Sequence, residues 1–236
     1  VSTTTLSEAH VWYRLFKYVL VGPLLRLLGR PEVDGLRHVP RTGPVIIAAN
    51  HVAMLDSMYL ALALPRRVTF LAKQEYFTGT GLKGRFQRWF FTVAGQVPVN
   101  RTGGTAAADA LTAATKILES GDVWAIHPEG TRSPDGCIYR GRTGALRVAM
   151  ATGAPVIPAV LSGTDKVNPR GHRLPRFGKV HISFGTPRYY PQPTPTNPAP
   201  DTCEVRAATD ELMRELAARS GRDYVDRYAA TFSTRP

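Results

Sequence analysis

Between residues 39 and 187, short and mostly apolar runs alternate with longer stretches whose apolar positions recur every three or four residues. The runs at 45–49, 68–72, 97–99, 123–126, 156–161 and 180–184 are strand-sized, and each opens on valine. A strand that stays apolar at consecutive positions is buried on both faces, as in a parallel sheet. The stretches at 54–64, 82–93, 105–120 and 146–152 carry helical spacing, with Gly121 and Gly153 standing where two of those helices would end. Strand, helix, strand at this pitch predicts an α/β fold, a mostly parallel sheet flanked by helices.

The flanks read differently. Residues 1–38 form an amphipathic helical entry, kinked or broken at Pro23, then an extended segment with a turn at Asp34-Gly35. On a helix His10, Arg14 and Lys17 make one basic stripe, with Trp12, Leu15, Phe16, Val19 and Leu20 over the rest. That pattern suits a helix lying in a membrane interface, and a core-packed helix with a basic edge is the alternative. The same mixture returns where Lys83, Arg85 and Arg88 sit among Phe86, Trp89, Phe90 and Phe91. A bilayer span needs roughly 20 mostly apolar residues. The best stretch, 11–29, is interrupted by Arg14, Lys17, Arg26 and Gly22-Pro23. Residues 190–200 are proline-dense and read as a stiff linker. Beyond it, 201–219 reads as a terminal helix, with Asp201 as N-cap and Val205, Leu212 and Leu216 turned inward.

Composition adds one strong fact. The 236 residues carry a formal charge of +12 with an ordinary 43% hydrophobic share, so a basic chain with a full core should attract phosphates. Nucleic acid, anionic lipid and a small phosphorylated substrate all qualify. No helix-turn-helix, RNP or zinc-finger pattern is present, and the cations cluster after strands instead of lining one helical face, which argues against nucleic acid. Cys137 and Cys203 make neither a disulfide framework nor a metal pattern. Residues 1–8 lack the basic-then-apolar pattern of a signal peptide.

Two strands run out into polar clusters, where an α/β sheet usually sites its chemistry. Asn50-His51-Val52-Ala53-Met54-Leu55-Asp56 follows the first run, and Pro128-Glu129-Gly130-Thr131-Arg132 follows that at 123–126. Five residues of continuous helix turn through about 500°, which leaves His51 and Asp56 about 140° apart. They meet only if His51 lies on a strand-to-helix turn and Asp56 on the first helical turn beyond it. An imidazole braced by a carboxylate is then an oriented general base. Asp56-Ser57 is equally a fair helix N-cap. At the second cluster Gly130 lets backbone N–H groups approach an anion, and Arg132 adds a two-pronged donor for phosphate. Glu129 suits an acceptor hydroxyl or a neighbouring arginine, and a plain surface turn with a Glu–Arg pair is the alternative. Lys73 and Arg101 each follow another strand, Arg101 closing Gly95-Gln96-Val97-Pro98-Val99-Asn100. His127 is either a second titrating group or a packed histidine. Ser57, Ser133 and Cys137 invite an acyl-enzyme, but no Gly-x-Ser-x-Gly elbow surrounds the serines.

Asn50-His51-x4-Asp56, Gly95 to Arg101, Pro128-Glu129-Gly130-Thr131-Arg132-Ser133 and Ala154-Pro155-Val156-Ile157-Pro158 resemble, in order and spacing, the four blocks of the glycerolipid acyltransferases. The chain is most similar to their 1-acylglycerol-3-phosphate acyltransferase (PlsC-like) branch over residues 35–190. The resemblance implies transfer of a fatty acyl chain from acyl-CoA or acyl-ACP to glycerol-3-phosphate or its monoacyl form, in phosphatidic acid synthesis. It assigns His51 as base and Asp56 as its partner. By the same resemblance Lys73, Arg101, Glu129, Gly130, Thr131 and Arg132 would bind the acceptor phosphate. Separately, the turn around Gly130 would offer the N–H donors that the oxyanion of such a transfer needs. No metal or cofactor is implied beyond the thioester co-substrate. His127 departs from the resemblance, since the family usually has an aromatic or aliphatic residue there. The expected organisation is an N-terminal interface segment (1–38), an acyltransferase domain (39–190) and a linker with a C-terminal helix (191–236). The expected place is the cytoplasmic face of a membrane, peripheral or monotopic, against anionic lipid. Other lysophospholipid or glycolipid acceptors, a nucleic-acid binder and an idle lipid-binding scaffold are the alternatives. The sequence carries no sign of oligomeric state.

Overall fold

The computed structural model describes residues 11–100, 106–172, 174–192 and 201–229. His10, Arg101 and most of the proline-dense linker lie outside them. In chain order the elements are α1 (Val21–Gly29), β1 (Glu32–Asp34), β2 (Val45–Ala49), α2 (Asp56–Ala63), β3 (Val68–Lys73), α3 (Glu75–Thr78), α4 (Gly81–Val93) and β4 (Val97–Val99). They continue as α5 (Ala106–Glu119), β5 (Val123–Ile126), β6 (Ile138–Tyr139), α6 (Gly144–Thr152), β7 (Val156–Ser162), α7 (Thr164–Val167), β8 (His181–Phe184), α8 (Thr202–Ser220) and β9 (Tyr224–Val225).

The main sheet runs β1-β8-β7-β2-β5-β3-β4, and β6 pairs with β9 apart from it. Strands β7, β2, β5, β3 and β4 are mutually parallel. Only β8, antiparallel to β7, and its parallel neighbour β1 run the other way. The expected mostly parallel sheet flanked by helices is the one observed. β1 and α8 join it from outside residues 39–190.

The unbroken apolar run of β2 has the physical meaning expected of it. Val45, Ile47 and Ala49 enter one core cluster with Tyr59 and Leu60 of α2 and Leu25 and Leu28 of α1. Ile46 and Ala48 enter a second, with Ala114 and Leu118 of α5, Leu146 of α6 and Leu212 of α8. Alternate side chains therefore supply opposite faces. The chain leaves β2 for α2 on one face, and its neighbour β5 leads to α6 on the other. A crevice opens between such strands at their carboxyl ends.

The N-terminal segment corrects the basic stripe. Residues 11–15 are helical, and Phe16–Leu20 widens into a π turn just ahead of Pro23. Gly22 permits this, because a Cβ there would collide with the carbonyl oxygen of Lys17. Pro23 lies inside the continuous helical stretch 11–29, where its ring and missing N–H break the regular ladder of the preceding turn, and the π turn falls just there. The wider turn rolls Lys17 inward: it is buried, and its ammonium donates to the carbonyl of Leu64. Burial first, then the charge of Arg26, lowers the Lys17 pKa to about 8. What faces out is mostly apolar: Val11, Trp12, Leu15, Tyr18, Val19, Leu20, Leu24 and Leu27, with Arg14 and Arg26 the exposed cations among them. At the other end α8 is capped as expected, with Asp201 and Glu204 each accepting the other's backbone N–H at 2.8 and 3.0 Å.

Candidate active site

His51 sits on the turn between β2 and α2, and Asp56 is the first residue of α2. That is the arrangement that lets a five-residue spacing close: His51 Nδ1 lies 2.9 Å from Asp56 Oδ2. The same oxygen accepts the backbone N–H groups of Val52 at 2.7 Å and Ala53 at 2.8 Å. These donors precede Asp56 in the chain, so the carboxylate ties down the turn behind it and does not cap the helix ahead. Burial alone would raise the Asp56 carboxyl. The His51 hydrogen bond, the two imidazoles nearby and the Ala53 N–H outweigh it and hold the pKa below the usual value. A carboxylate here can only accept, so His51 Nδ1 carries a proton and Nε2 holds the free lone pair. His51 Nε2 makes no hydrogen bond among the described residues, and the side chain is 19% exposed.

Neighbouring strands complete the turn. Asn50 clamps the end of β2 to β7, donating to Leu161 O at 3.0 Å and accepting from Leu161 N at 2.8 Å. Beyond β5, Ser133 N donates to His51 O at 2.7 Å, so the loop carrying Glu129 to Arg132 wraps directly against the histidine. Gly130 has φ 74°, the left-handed region that favours glycine. A Cβ there would also lie 2.9 Å from Arg142 Nε. Arg142 is held by its own N–H to Pro128 O at 2.7 Å, and its guanidinium lies over the Tyr228 ring at 5.6 Å. Sequence reasoning passed over this arginine because its link to the turn is made only by the fold.

Glu129 does not have the expected place among phosphate contacts. It is 2% exposed, and its two oxygens accept the N–H groups of His51 at 3.0 Å and Tyr139 at 3.1 Å. With both oxygens turned inward it braces the site from below. Burial pushes its pKa up to about 7, against those two N–H bonds. The Gly130 N–H is likewise engaged, donating to His127 O at 2.9 Å. The N–H groups of Thr131 and Arg132 are the ones without a hydrogen bond among the described residues. Arg132 is exposed and its guanidinium makes no ion pair among the described residues, while Thr131 is half-buried. Lys73, the last residue of β3, is exposed at the same end of the sheet. Arg101 lies outside the described residues, two positions beyond the end of β4.

The three residues considered as nucleophiles are placed otherwise. Ser57 hydrogen-bonds His127 Nε2 at 3.0 Å, Ser133 is buried and accepts Gly136 N at 2.9 Å, and Cys137 sits beyond that turn. A cavity of about 540 Å³ opens at the opposite, N-terminal ends of β3, β4 and β5, lined by Arg67, Thr69, Gln96, Lys116 and Asp122. It is separated from His51 by the length of the sheet.

Comparison with known proteins bears on this rim. The family profile described as Acyltransferase matches residues 30–162. A chloroplastic 1-acyl-sn-glycerol-3-phosphate acyltransferase of Brassica napus is 30% identical over 162 residues, 68% of this chain and 45% of the relative. The human 1-acyl-sn-glycerol-3-phosphate acyltransferase alpha is 28% identical over 200 residues, 83% of this chain and 69% of the relative. The chain spans about half the length of its plant relatives, 45% and 48% for two of them. The crystal structure of the 1-acyl-sn-glycerophosphate acyltransferase PlsC from Thermotoga maritima superposes with a TM-score of 0.67. It is 23% identical, over 94% of this chain and 86% of that one, and it shows the same fold. Since the matched stretch begins before β1, ends with β7 and encloses both the His51 turn and the Glu129–Arg132 loop, the chain belongs to the acyltransferase family.

Proposed function

We propose that the chain transfers a fatty acyl group from a long-chain acyl thioester, acyl-CoA or acyl-ACP, to the free hydroxyl of 1-acyl-sn-glycerol-3-phosphate. The observation that carries the reading is the contact of two turns: an oriented His51–Asp56 pair against the loop that presents Arg132. His51 Nε2 takes the hydroxyl proton as the acceptor oxygen bonds to the thioester carbon. The carbonyl π pair moves onto oxygen, where the N–H groups of Thr131 and Arg132 are the available donors. Collapse of that adduct expels the thiolate, which receives the proton from His51. Asp56 stabilises the imidazolium between the two transfers. Arg132, Lys73 and Arg101 hold the acceptor phosphate, and the relatives' names supply the monoacyl acceptor. Ser57 is a poor rival nucleophile, because its partner His127 is held near pKa 3 by burial, then by His51, and is too weak a base to activate it.

The acyl chains of both substrates place the reaction beside a membrane. Among the described residues no helix is long and apolar enough to cross one. Leu82, Phe86 and Trp89 share the outer face of α4, beside exposed Lys83, Arg85 and Arg88. Phe16 meets Trp89 and Phe90 edge-on at 6.4 and 5.1 Å, which joins this face to the apolar N-terminal one. That surface would rest on the anionic leaflet, the cytoplasmic one, as a peripheral or monotopic contact.

The test is direct. The purified chain is incubated on anionic vesicles with oleoyl-CoA or oleoyl-ACP and, in parallel, glycerol-3-phosphate, its 1-oleoyl form or 1-oleoyl-glycerophosphocholine. Thiol release and product mass are recorded. Diacylglycerol phosphate formed from the monoacyl phosphate at the highest kcat/KM is expected. Release that no acceptor accelerates would remove the reading.

A further inference from the structure

His127 lies between two other rings. Its centroid is 4.0 Å from that of His51 at an interplanar angle of 11°, and 5.8 Å from that of Phe70 at 21°. The three rings come from β3, β5 and β2, or the residues just beyond them, and β5 lies between the other two in the sheet. A ladder of stacked rings thus crosses three strands, and the exposed end of the ladder is the candidate base. Both nitrogens of the middle ring are engaged. Nδ1 faces the carbonyl oxygens of Ala49 at 3.0 Å and Asn50 at 2.9 Å, and Nε2 faces the Ser57 hydroxyl at 3.0 Å. Carbonyls only accept, so Nδ1 carries the proton and Nε2 receives the one from Ser57. Phe70 itself is buried, which anchors the far end of the ladder in the core.

We infer that His127 is a positioning residue: an uncharged, tautomer-locked imidazole whose face supports the His51 ring and sets the direction of its Nε2. The Asp56 hydrogen bond fixes one atom of that ring but leaves it free to swing about the Nδ1···Oδ2 line. A parallel face 4.0 Å away removes this freedom. Charge matters as much as shape. Each turnover makes an imidazolium on His51, and a second cation at that separation would oppose it, whereas a neutral ring face attracts it. Burial, then the charge of His51, keeps the His127 pKa at about 3, so the platform stays neutral wherever an enzyme works. The titratable groups around the stack are Asp56 from α2, His51 from the first turn and Glu129 from the loop after β5. The inference rests on the proposed acyl transfer only for what His51 deprotonates.

The experiment pairs two readouts in the full chain. Histidine ¹⁵N NMR without substrate reports tautomer and titration, and steady-state kinetics across the acid limb reports function. Wild-type His127 should show the Nδ1–H form and fail to titrate above about pH 4. His127→Ala should lower kcat about tenfold with KM changed less than about twofold, and should move His51 titration and the acid limb to lower pH. His127→Phe, a flat uncharged ring, should recover kcat to within about threefold of wild type. The inference is overturned if His127 titrates between about pH 5 and 7, if the Ala variant matches wild type in kcat and His51 titration, or if the Phe variant is as slow as the Ala variant. Should the Ala variant not fold, the Phe variant and the wild-type spectrum still decide. A wild-type chain inactive on every acceptor would end the acyl-transfer reading and leave the NMR result to judge the platform.

Discussion

Asp56→Asn separates the electrical role of the carboxylate from its structural one. Asparagine is nearly isosteric, and its carbonyl can take over all three bonds now made to Oδ2, from His51 and from the N–H groups of Val52 and Ala53. Its NH2 then occupies the place of Oδ1, which is buried without a hydrogen-bond partner among the described residues. A buried unpaired donor costs about 1–3 kcal/mol, so the variant should fold and melt a few degrees lower. The electrical loss is larger. With Nδ1 and Oδ2 at 2.9 Å, the charge centres lie about 4 Å apart and attract by about 4 kcal/mol at an effective dielectric near 20. That attraction exists only while His51 is protonated, after the acceptor has lost its proton, so it belongs to kcat and not to KM. The ceiling is about 10³-fold, and a fall of about 10²–10³ in kcat is expected with acceptor KM within about threefold. A chromogenic thiol assay with thermal melts measures both. Asp56→Ala should melt lower still, because two backbone N–H groups lose their acceptor. An Asp56→Asn enzyme within about threefold of wild type would refute the reasoning and leave Asp56 a loop tie.

Glu129 should impose a pH dependence on stability. Its folded pKa of about 7 lies above the ordinary 4.5, so the folded state binds the proton more tightly and stability falls as pH rises from about 4.5 through about 7. In Glu129→Gln the melting temperature should be lower at acid pH, where one N–H meets the amide NH2, yet flatter across that window; an unchanged slope would contradict the assignment. Arg132→Ala, at an exposed cation with no ion pair among the described residues, should raise acceptor KM about 10–100-fold while stability stays within about 0.5 kcal/mol, and equal loss on a phosphate-free acceptor would count against phosphate contact. Leu82→Ser with Phe86→Ser removes two exposed apolar side chains from α4 and should weaken co-sedimentation with anionic vesicles at least about tenfold, leaving the melt unchanged. Undiminished binding would place the membrane contact elsewhere.

What could be read from the chain followed from local rules. Mostly apolar runs opening on valine marked the strands, five of the six mutually parallel and the sixth, at 180–184, antiparallel, with the ends of 123–126 and 97–99 read to the residue. The His51–Asp56 meeting was conditional on a turn ending before Asp56, and that is a statement about local geometry which the fold satisfies. Lys17 escaped because its direction depends on one π turn that Gly22 allows, and no periodicity at 3.6 residues anticipates a change of register. Glu129 and Gly130 escaped for a different reason. Whether a rim carboxylate or N–H faces outward depends on which neighbours claim it, here Tyr139, His51 and His127, and those claims are settled by tertiary packing. The stacking of His127 on His51 is of the same kind: their separation in sequence hides an adjacency that the order β2, β5, β3 creates.

The central claim is that His51 Nε2 takes the acceptor proton on a rim that already holds the phosphate. Single-turnover acyl transfer to 1-oleoyl-glycerol-3-phosphate by wild type and by His51→Ala, each with matched melts and matched retention of the acceptor, measures it most directly. Product from wild type and none above background from the variant, with acceptor binding retained, is the predicted result. Comparable product from both proteins would contradict it.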